Sequence, residues 1–423
     1  MSLMNFRSHV AWTFAARLLM IFNSVVAGII VARWLGAQGV GELAVINVAV
    51  ATIVQLGSFG LPSSNTYFIA QDQARFRSAA INSLIFALVG GSILALGLSA
   101  LAYLRPDWFG FVSPELIRIA AISIPFQLIA LIGLNILLAV GKVKEFNLLD
   151  LAGQSFVLIN AVLVLLVLNR GLEMLVTLNT AASILVSIVV SSLIAISVKS
   201  LAHSEWRADL VLLRRMIGYG MKFHVSILAG AIILRADLLV VNHFRGAAEA
   251  GVYSVASQFG LLLMLLPGVI ATLLFPRVTA EQDARGETTC LVTRYTTFIM
   301  FLCCLAAVPF SLLLPVLYGS AFSDATPLLL ILLPGVYLMG LESVLVQHFN
   351  ALGLPRAIPM YWVATLVLNL ILVFALVPRF GAHGAAIAST ISYAVIFAFV
   401  ALHFQTSTGR SFAEVFVLGS LRG

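Results

Sequence analysis

Apolar runs of about 20 residues recur from one end of this chain to the other, separated by short charged loops. That spacing matches the hydrocarbon core of a bilayer crossed by an α-helix rising about 1.5 Å per residue. In lipid every backbone N–H and C=O needs an internal partner, so only helices or closed barrels can span it. Unbroken apolar runs exclude the alternating pattern of a barrel strand. The sequence therefore predicts an all-α polytopic membrane protein. Its function must sit between helices or in short loops.

Composition agrees: 61% of residues are hydrophobic and 10% charged, against about 25% charged in a typical soluble domain. The net charge of +7 is spread in ones and twos, without the basic stripe and interleaved aromatics of a nucleic-acid groove. No nucleic-acid partner is expected. Cys303 and Cys304 lie inside an apolar run and Cys290 sits alone, so neither a disulfide framework nor a metal site follows. The first run, from about His9 to Arg33, is too long for a signal-peptide core and reads as an uncleaved first span.

Twelve spans are expected, at 9–33, 41–69, 79–103, 115–140, 146–168, 173–198, 217–243, 251–275, 293–318, 327–351, 358–377 and 384–404. Arginine and lysine set their orientation. Arg7, Arg75, Arg77, Lys142, Lys144, Lys199, Arg207, Arg214, Arg215, Arg277, Arg285, Arg294, Arg356, Arg410 and Arg422 fall on one side. Only Arg33, Arg105, Arg118, Arg170, Arg245 and Arg379 fall on the other. Fifteen against six places both termini in the cytoplasm. Residues 207–219 read as an amphipathic helix on the cytoplasmic surface.

A register near 210 residues, half the chain, relates the two ends. Gly36 to Gly41 parallels Gly246 to Gly251, Pro125 matches Pro334, Ala139-Val-Gly141 matches Ala351-Leu-Gly353, and Asn160 matches Asn369. Arg170-Gly171 likewise parallels Arg379-Phe-Gly381. Six spans per half is an even number, so the halves are parallel repeats. The expected organisation is an N-terminal six-helix lobe over 1–200, a cytoplasmic linker over 201–215 and a C-terminal six-helix lobe over 216–423. The two bundles would surround a central cavity.

A charge at the centre of a span costs about 2.5–3.5 kcal/mol on insertion scales, so each one in this chain needs a reason. Thr13, Arg17, Ser24 and Gly28 share a helical face, as do Asp150, Gln154, Val157 and Asn160. Arg235 and Asp237 lie deep in span seven, and on a continuous helix they point about 200° apart and cannot pair. Glu342 is central in span ten, with His348 nearer the cytoplasm, and His224 lies in span seven. Arg17, Arg235 and Lys222 are the candidate anion ligands, through charge-assisted hydrogen bonds. Asp237, Glu342 and Asp150 are either counter-charges or titrating sites for an exchanged cation. The plainer reading pairs Arg235 with an acid on a neighbouring helix and lets Lys222 snorkel to the headgroups. The half-chain offset puts apolar or small residues opposite Asp237 and Glu342, so the scaffold repeats and its charges do not. Pro125, Pro267-Gly268 and Pro334-Gly335 are expected kinks or hinges.

With these features the chain resembles the polysaccharide-exporter branch of the multidrug/oligosaccharidyl-lipid/polysaccharide exporter superfamily. The resemblance is carried by Ala32-Arg33-Trp-Leu-Gly36 to Gly41-Glu-Leu-Ala44, by Arg235-Ala-Asp237 through Gly251-Val-Tyr253-Ser-Val-Ala256, and by Leu266-Pro267 with Phe275-Pro276. It implies an alternating-access flippase that carries polyprenyl-pyrophosphate-linked saccharides to the outer leaflet of the cytoplasmic (inner) membrane. Arg235 and Asp237 match the family's span-seven motif, whereas Arg17 and Glu342 match by location alone. Implied partners are the lipid-linked saccharide, membrane lipids, a polysaccharide polymerase and other assembly proteins. No cofactor is implied, and no terminal spans beyond the twelve are read, so an added lipid groove like that of peptidoglycan-precursor flippases is not expected. One rival is a multidrug cation antiporter of the same superfamily, which favours an acidic cavity. A membrane glycosyltransferase or polymerase is disfavoured by short outer loops with lone acids, and no Gly-rich phosphate loop indicates ATP use.

Overall fold

The computed structural model describes residues 3–72, 75–110, 112–201 and 208–417 of the 423. The linker stretch 202–207, including Arg207, and Arg422 lie outside the described residues, as do the side chains of Arg7, Thr13 and Lys199. Among the described residues every regular element is helical, and ten helical stretches are long and apolar enough to cross a membrane.

The chain forms two compact units, Met1–Leu228 and Ala229–Gly423. The first holds α1 (Leu3–Gly57), α2 (Leu61–Gln71), α3 (Phe76–Leu104), α4 (Pro114–Ala121), α5 (Ser123–Ala139), α6 (Val143–Ala161), α7 (Leu172–Leu201) and most of α8 (Leu210–Ile233). The second holds the end of α8 and then α9 (Ala236–Arg245), α10 (Ala247–Leu263), α11 (Leu265–Glu281), α12 (Glu287–Ser311), α13 (Leu314–Tyr318), α14 (Ala325–Leu352), α15 (Ala357–Thr408) and α16 (Phe412–Phe416).

The stretch expected as span one and most of that expected as span two lie in α1, with the end of the latter in α2, and the stretches expected as spans eleven and twelve both lie in α15. Both long helices turn at one non-helical glycine, Gly36 (φ 66°, ψ −174°) and Gly381 (φ 59°, ψ −138°). α15 folds back on itself there. Asn369 Nδ2 donates to Ser392 Oγ at 3.1 Å, and Tyr361 Oη lies 3.3 Å from His403 Nδ1. A straight helix would hold residues 369 and 392 about 35 Å apart.

The repeat is visible in geometry as well as sequence. Gly246, between α9 and α10, adopts φ 89° and ψ 171°, close to Gly36 and in a region essentially reserved for glycine. Thr180 Oγ1 donates to the Ile119 carbonyl at 3.3 Å in the first unit, and Thr390 Oγ1 to the Ile331 carbonyl at 2.7 Å in the second. Asn160 reaches across to Asn179 at 2.9 Å, as its counterpart Asn369 reaches Ser392. In each unit the corresponding helices are bridged, although Asn369 reaches about one turn further along its partner than Asn160 does.

Two of the local expectations change. The stretch from 210 is no separate surface helix, because α8 runs unbroken to Ile233 and Arg214 and Arg215 occupy its first turns. Asp209 starts it by accepting from Leu212 N at 2.9 Å, and Asn82 holds Asp209 through both backbone groups. The expected kinks at Pro125 and Pro267 are present as breaks at Ile122 and Met264, and each proline falls in the first turn of the next segment, where no helical N–H bond is lost. Pro334 lies inside an unbroken α14.

At the end of the chain a short clasp closes on α12. The buried Arg294 donates through Nε to the Glu414 carbonyl at 2.5 Å, and Arg410 bonds Glu287 at 3.0 Å. Ser411 and Glu414 form a reciprocal capping box that starts α16. The two hydrogen bonds from Ser411, backbone and hydroxyl, and the nearby Arg410 and Arg294 charges hold the Glu414 carboxyl below the usual range.

Candidate functional site: intramembrane charges

In the second unit the deciding local event is a break in span seven. Helical geometry stops at Ile233 and resumes at Ala236, and Arg235 (φ −141°, ψ −24°) sits between. The expected 200° separation of Arg235 and Asp237 on one continuous helix is therefore replaced by a corner with each residue on its own side. Asp237 enters the first turn of α9, where the unpaired N–H groups favour a carboxylate. It is 3% exposed and accepts from Leu238 N at 2.8 Å, from Ser389 Oγ at 2.7 Å and from Tyr253 Oη. One acid thus joins the start of α9, α10 and the second limb of α15.

Arg235 itself is exposed and forms no ion pair among the described residues, so the plainer pairing with a neighbouring acid is not what is observed. Glu342, on α14, is 1% exposed, and its Oε1 has no hydrogen-bond partner among the described residues. His348 is satisfied: its Nδ1 lies 3.3 Å from Thr289 Oγ1, which also bonds Asp283, and its ring meets Phe404 edge-on.

The polar stripes of the first unit meet each other. Arg17 Nη1 lies 3.1 Å from Asp150 Oδ2 across α1 and α6, and Asn23 Nδ2 donates to Ser155 at 2.9 Å. The ion pair is half-buried, with side-chain exposures of 41% and 25%. Lys222 is exposed on α8 and unpaired among the described residues, and His224 is buried and stacked on Phe59. Of the six candidate residues only Arg17 and Asp150 are brought into contact.

Tyr253 and Ser389 are hydrogen-bond partners of Asp237 that sequence reasoning did not single out. Tyr253 stood in the Gly251-Val-Tyr253 motif, but nothing local showed that its hydroxyl meets Asp237. The half-chain register adds a contrast. Asp237 and Tyr253 align with Ala27 and Leu43, and in the first unit both belong to one apolar cluster with Val31, Ala161 and Leu175.

A profile described as polysaccharide biosynthesis protein matches residues 30–327. The chain belongs to this polysaccharide biosynthesis protein family. Its relatives include a probable low-salt glycan biosynthesis flippase of Haloferax volcanii, 26% identical over 46% of this chain and 44% of that one. A putative O-antigen transporter of Shigella flexneri is 27% identical over 42% of this chain and 44% of its own length. The succinoglycan biosynthesis transport protein of Rhizobium meliloti is 25% identical over 79% of this chain and 66% of its own. The chain spans about half the length of the first two relatives.

The fold resembles the inward closed lipid II flippase MurJ, with a TM-score of 0.75 and 17% identity over 94% of this chain and 87% of that one. It also resembles an inward-facing multidrug resistance transporter of the MATE family, with a TM-score of 0.73 and 16% identity over 95% of this chain and 99% of that one. These likenesses show the fold that the family member shares with those proteins.

Proposed function

We propose that the protein is a flippase that moves a polyprenyl-pyrophosphate-linked oligosaccharide across the cytoplasmic membrane by alternating access. In this reading it crosses the membrane twelve times with both termini in the cytoplasm, as six-span lobes over 1–200 and 216–423. It hands its cargo to a polysaccharide polymerase and other assembly proteins. Family membership and the names of the relatives support the substrate class.

The observation that carries the reading is Arg235: an exposed guanidinium, without an acid among the described residues, at a break in a membrane span. An arginine at that depth costs about 2.5–3.5 kcal/mol, and a pyrophosphate is the ligand that offsets it through bidentate hydrogen bonds. Arg17 is a second anion ligand, with Asp150 as the counter-charge it keeps when no cargo is bound. Lys222 adds a third cation. Asp237 fixes the corner that presents Arg235, and Glu342 serves as the site for a coupling cation.

A second reading, an organic-cation antiporter, draws on the MATE likeness and on the unpartnered Glu342. Reconstituted Arg17→Ala and Arg235→Ala variants separate the two. Loss of lipid-linked saccharide translocation in both, with insertion intact, supports the flippase. Unchanged translocation in both would overturn the assignment of these cations.

A further inference from the structure

The cytoplasm-proximal part of α8, in the expected topology, carries an aromatic surface that none of the charges above explains. Tyr67 of α2 and Tyr219 of α8 stack face to face, with ring centroids 4.2 Å apart and planes 15° from parallel. Phe68 closes the stack edge-on at 5.8 Å from Tyr219. Tyr67 is 38% exposed, Tyr219 is partly exposed, and neither phenol hydroxyl is hydrogen-bonded among the described residues.

A close backbone approach of the two helices lies beside this pair. A side-chain carbon on Gly220 would lie 2.5 Å from the Gly60 carbonyl oxygen and 2.6 Å from Ser64 Oγ. Ser64 Oγ in turn donates to the Met216 carbonyl at 2.5 Å. Around the stack α8 is cationic. Arg215 lies four residues before Tyr219 and Lys222 three after, so all three share one face of the helix. Both cations are exposed and have no acid partner among the described residues.

We infer that the Tyr67–Tyr219 stack presents an outer ring face to a sugar ring of the lipid-linked saccharide as it loads from the cytoplasmic side, with Arg215 and Lys222 holding its diphosphate before Arg17 and Arg235 take it. The inference rests on the flippase reading and names the part of the substrate that this face recognises. A pyranose ring has one face of C–H groups with partial positive charge, complementary to the negative face of an aromatic ring. Its hydroxyls meet the two free phenols at the edge. Belt aromatics at a membrane surface need only stand singly at headgroup depth, whereas this stack joins two helices beside a glycine crossing. Seven residues of helix separate Arg215 from Lys222 by about 10 Å, which places a cation on either side of a sugar diphosphate.

The test uses the full chain in nanodiscs and two probes, farnesyl diphosphate and farnesyl diphosphate bearing one hexose. The wild type is expected to bind the glycosylated probe more tightly. Tyr219→Leu should weaken the glycosylated probe about 3- to 10-fold and leave the bare diphosphate unchanged, given what an aromatic face contributes beyond area. Tyr219→Phe keeps the ring and should keep most of the preference, while Lys222→Gln should weaken both probes alike. An unaltered preference in Tyr219→Leu overturns the platform alone. So does an equal loss of both probes, which marks the face as a belt for anionic headgroups. A wild type that binds neither probe overturns the platform and the flippase reading together.

Discussion

Replacing Tyr253 by Phe removes one oxygen from a site with no water to replace it. Asp237 is 3% exposed and held by Tyr253, Ser389 and the Leu238 backbone. Deleting one donor to a buried acceptor costs about 1–3 kcal/mol. For a cooperative unit of this size, about 2–4 °C of melting temperature accompanies each kcal/mol, so Tyr253→Phe should melt about 2–12 °C lower. Cys290 is buried in the second unit, so the labelling of this thiol by a thiol-reactive dye in detergent reads that unit's unfolding above the signal of the half-buried Cys303 and Cys304. Asp237→Ala alone should cost at least as much, since it strands two hydroxyls. The double change Asp237→Ala with Tyr253→Leu installs the Ala27–Leu43 pair of the first unit and should recover part of that loss. A Tyr253→Phe protein that melts with the wild type would refute the reasoning. So would a double variant weaker than the sum of its parts.

Gly60→Ala should cost more than any of these, because Gly60 has φ 71° and an added carbon would meet the Gly220 backbone; yield of folded protein by size-exclusion fluorescence measures it. A double-mutant cycle on Arg17 and Asp150 should give a coupling below about 1 kcal/mol, since the pair is half-exposed, while Arg17→Ala still abolishes transport. A large coupling with transport intact would make the pair structural. Glu414 is held below the ordinary carboxylate value when folded, so its contribution is present above that value and is lost as pH falls through the lower folded one. Any loosening of the C-terminal clasp through Glu414 should therefore appear only below about pH 4.3, and Glu414→Ala, which removes the cap of α16, should make the clasp more protease-sensitive at neutral pH.

The spans and the repeat were legible because lipid imposes a length and an apolar content on every crossing, and glycine alone reaches the backbone geometry of Gly36 and Gly246. Arg17 and Asp150 were each legible as costly residues, but their pairing depends on the register of α1 against α6. The break at Leu234–Arg235 was not legible, for Ile-Leu-Arg-Ala-Asp contains neither proline nor glycine and reads as unbroken helix. What stabilises it is Asp237 bonding to residues 16 and 152 positions away. The Tyr67–Tyr219 stack was hidden for the same reason: two aromatics in separate spans show no common periodicity.

The most direct measurement is transport by the wild-type protein in proteoliposomes offered a fluorescent polyprenyl-pyrophosphate saccharide and, separately, an organic cation. Movement of the saccharide between leaflets, without uptake of the cation, is the expected result. Cation uptake with no saccharide movement across several sugar compositions would contradict the flippase assignment.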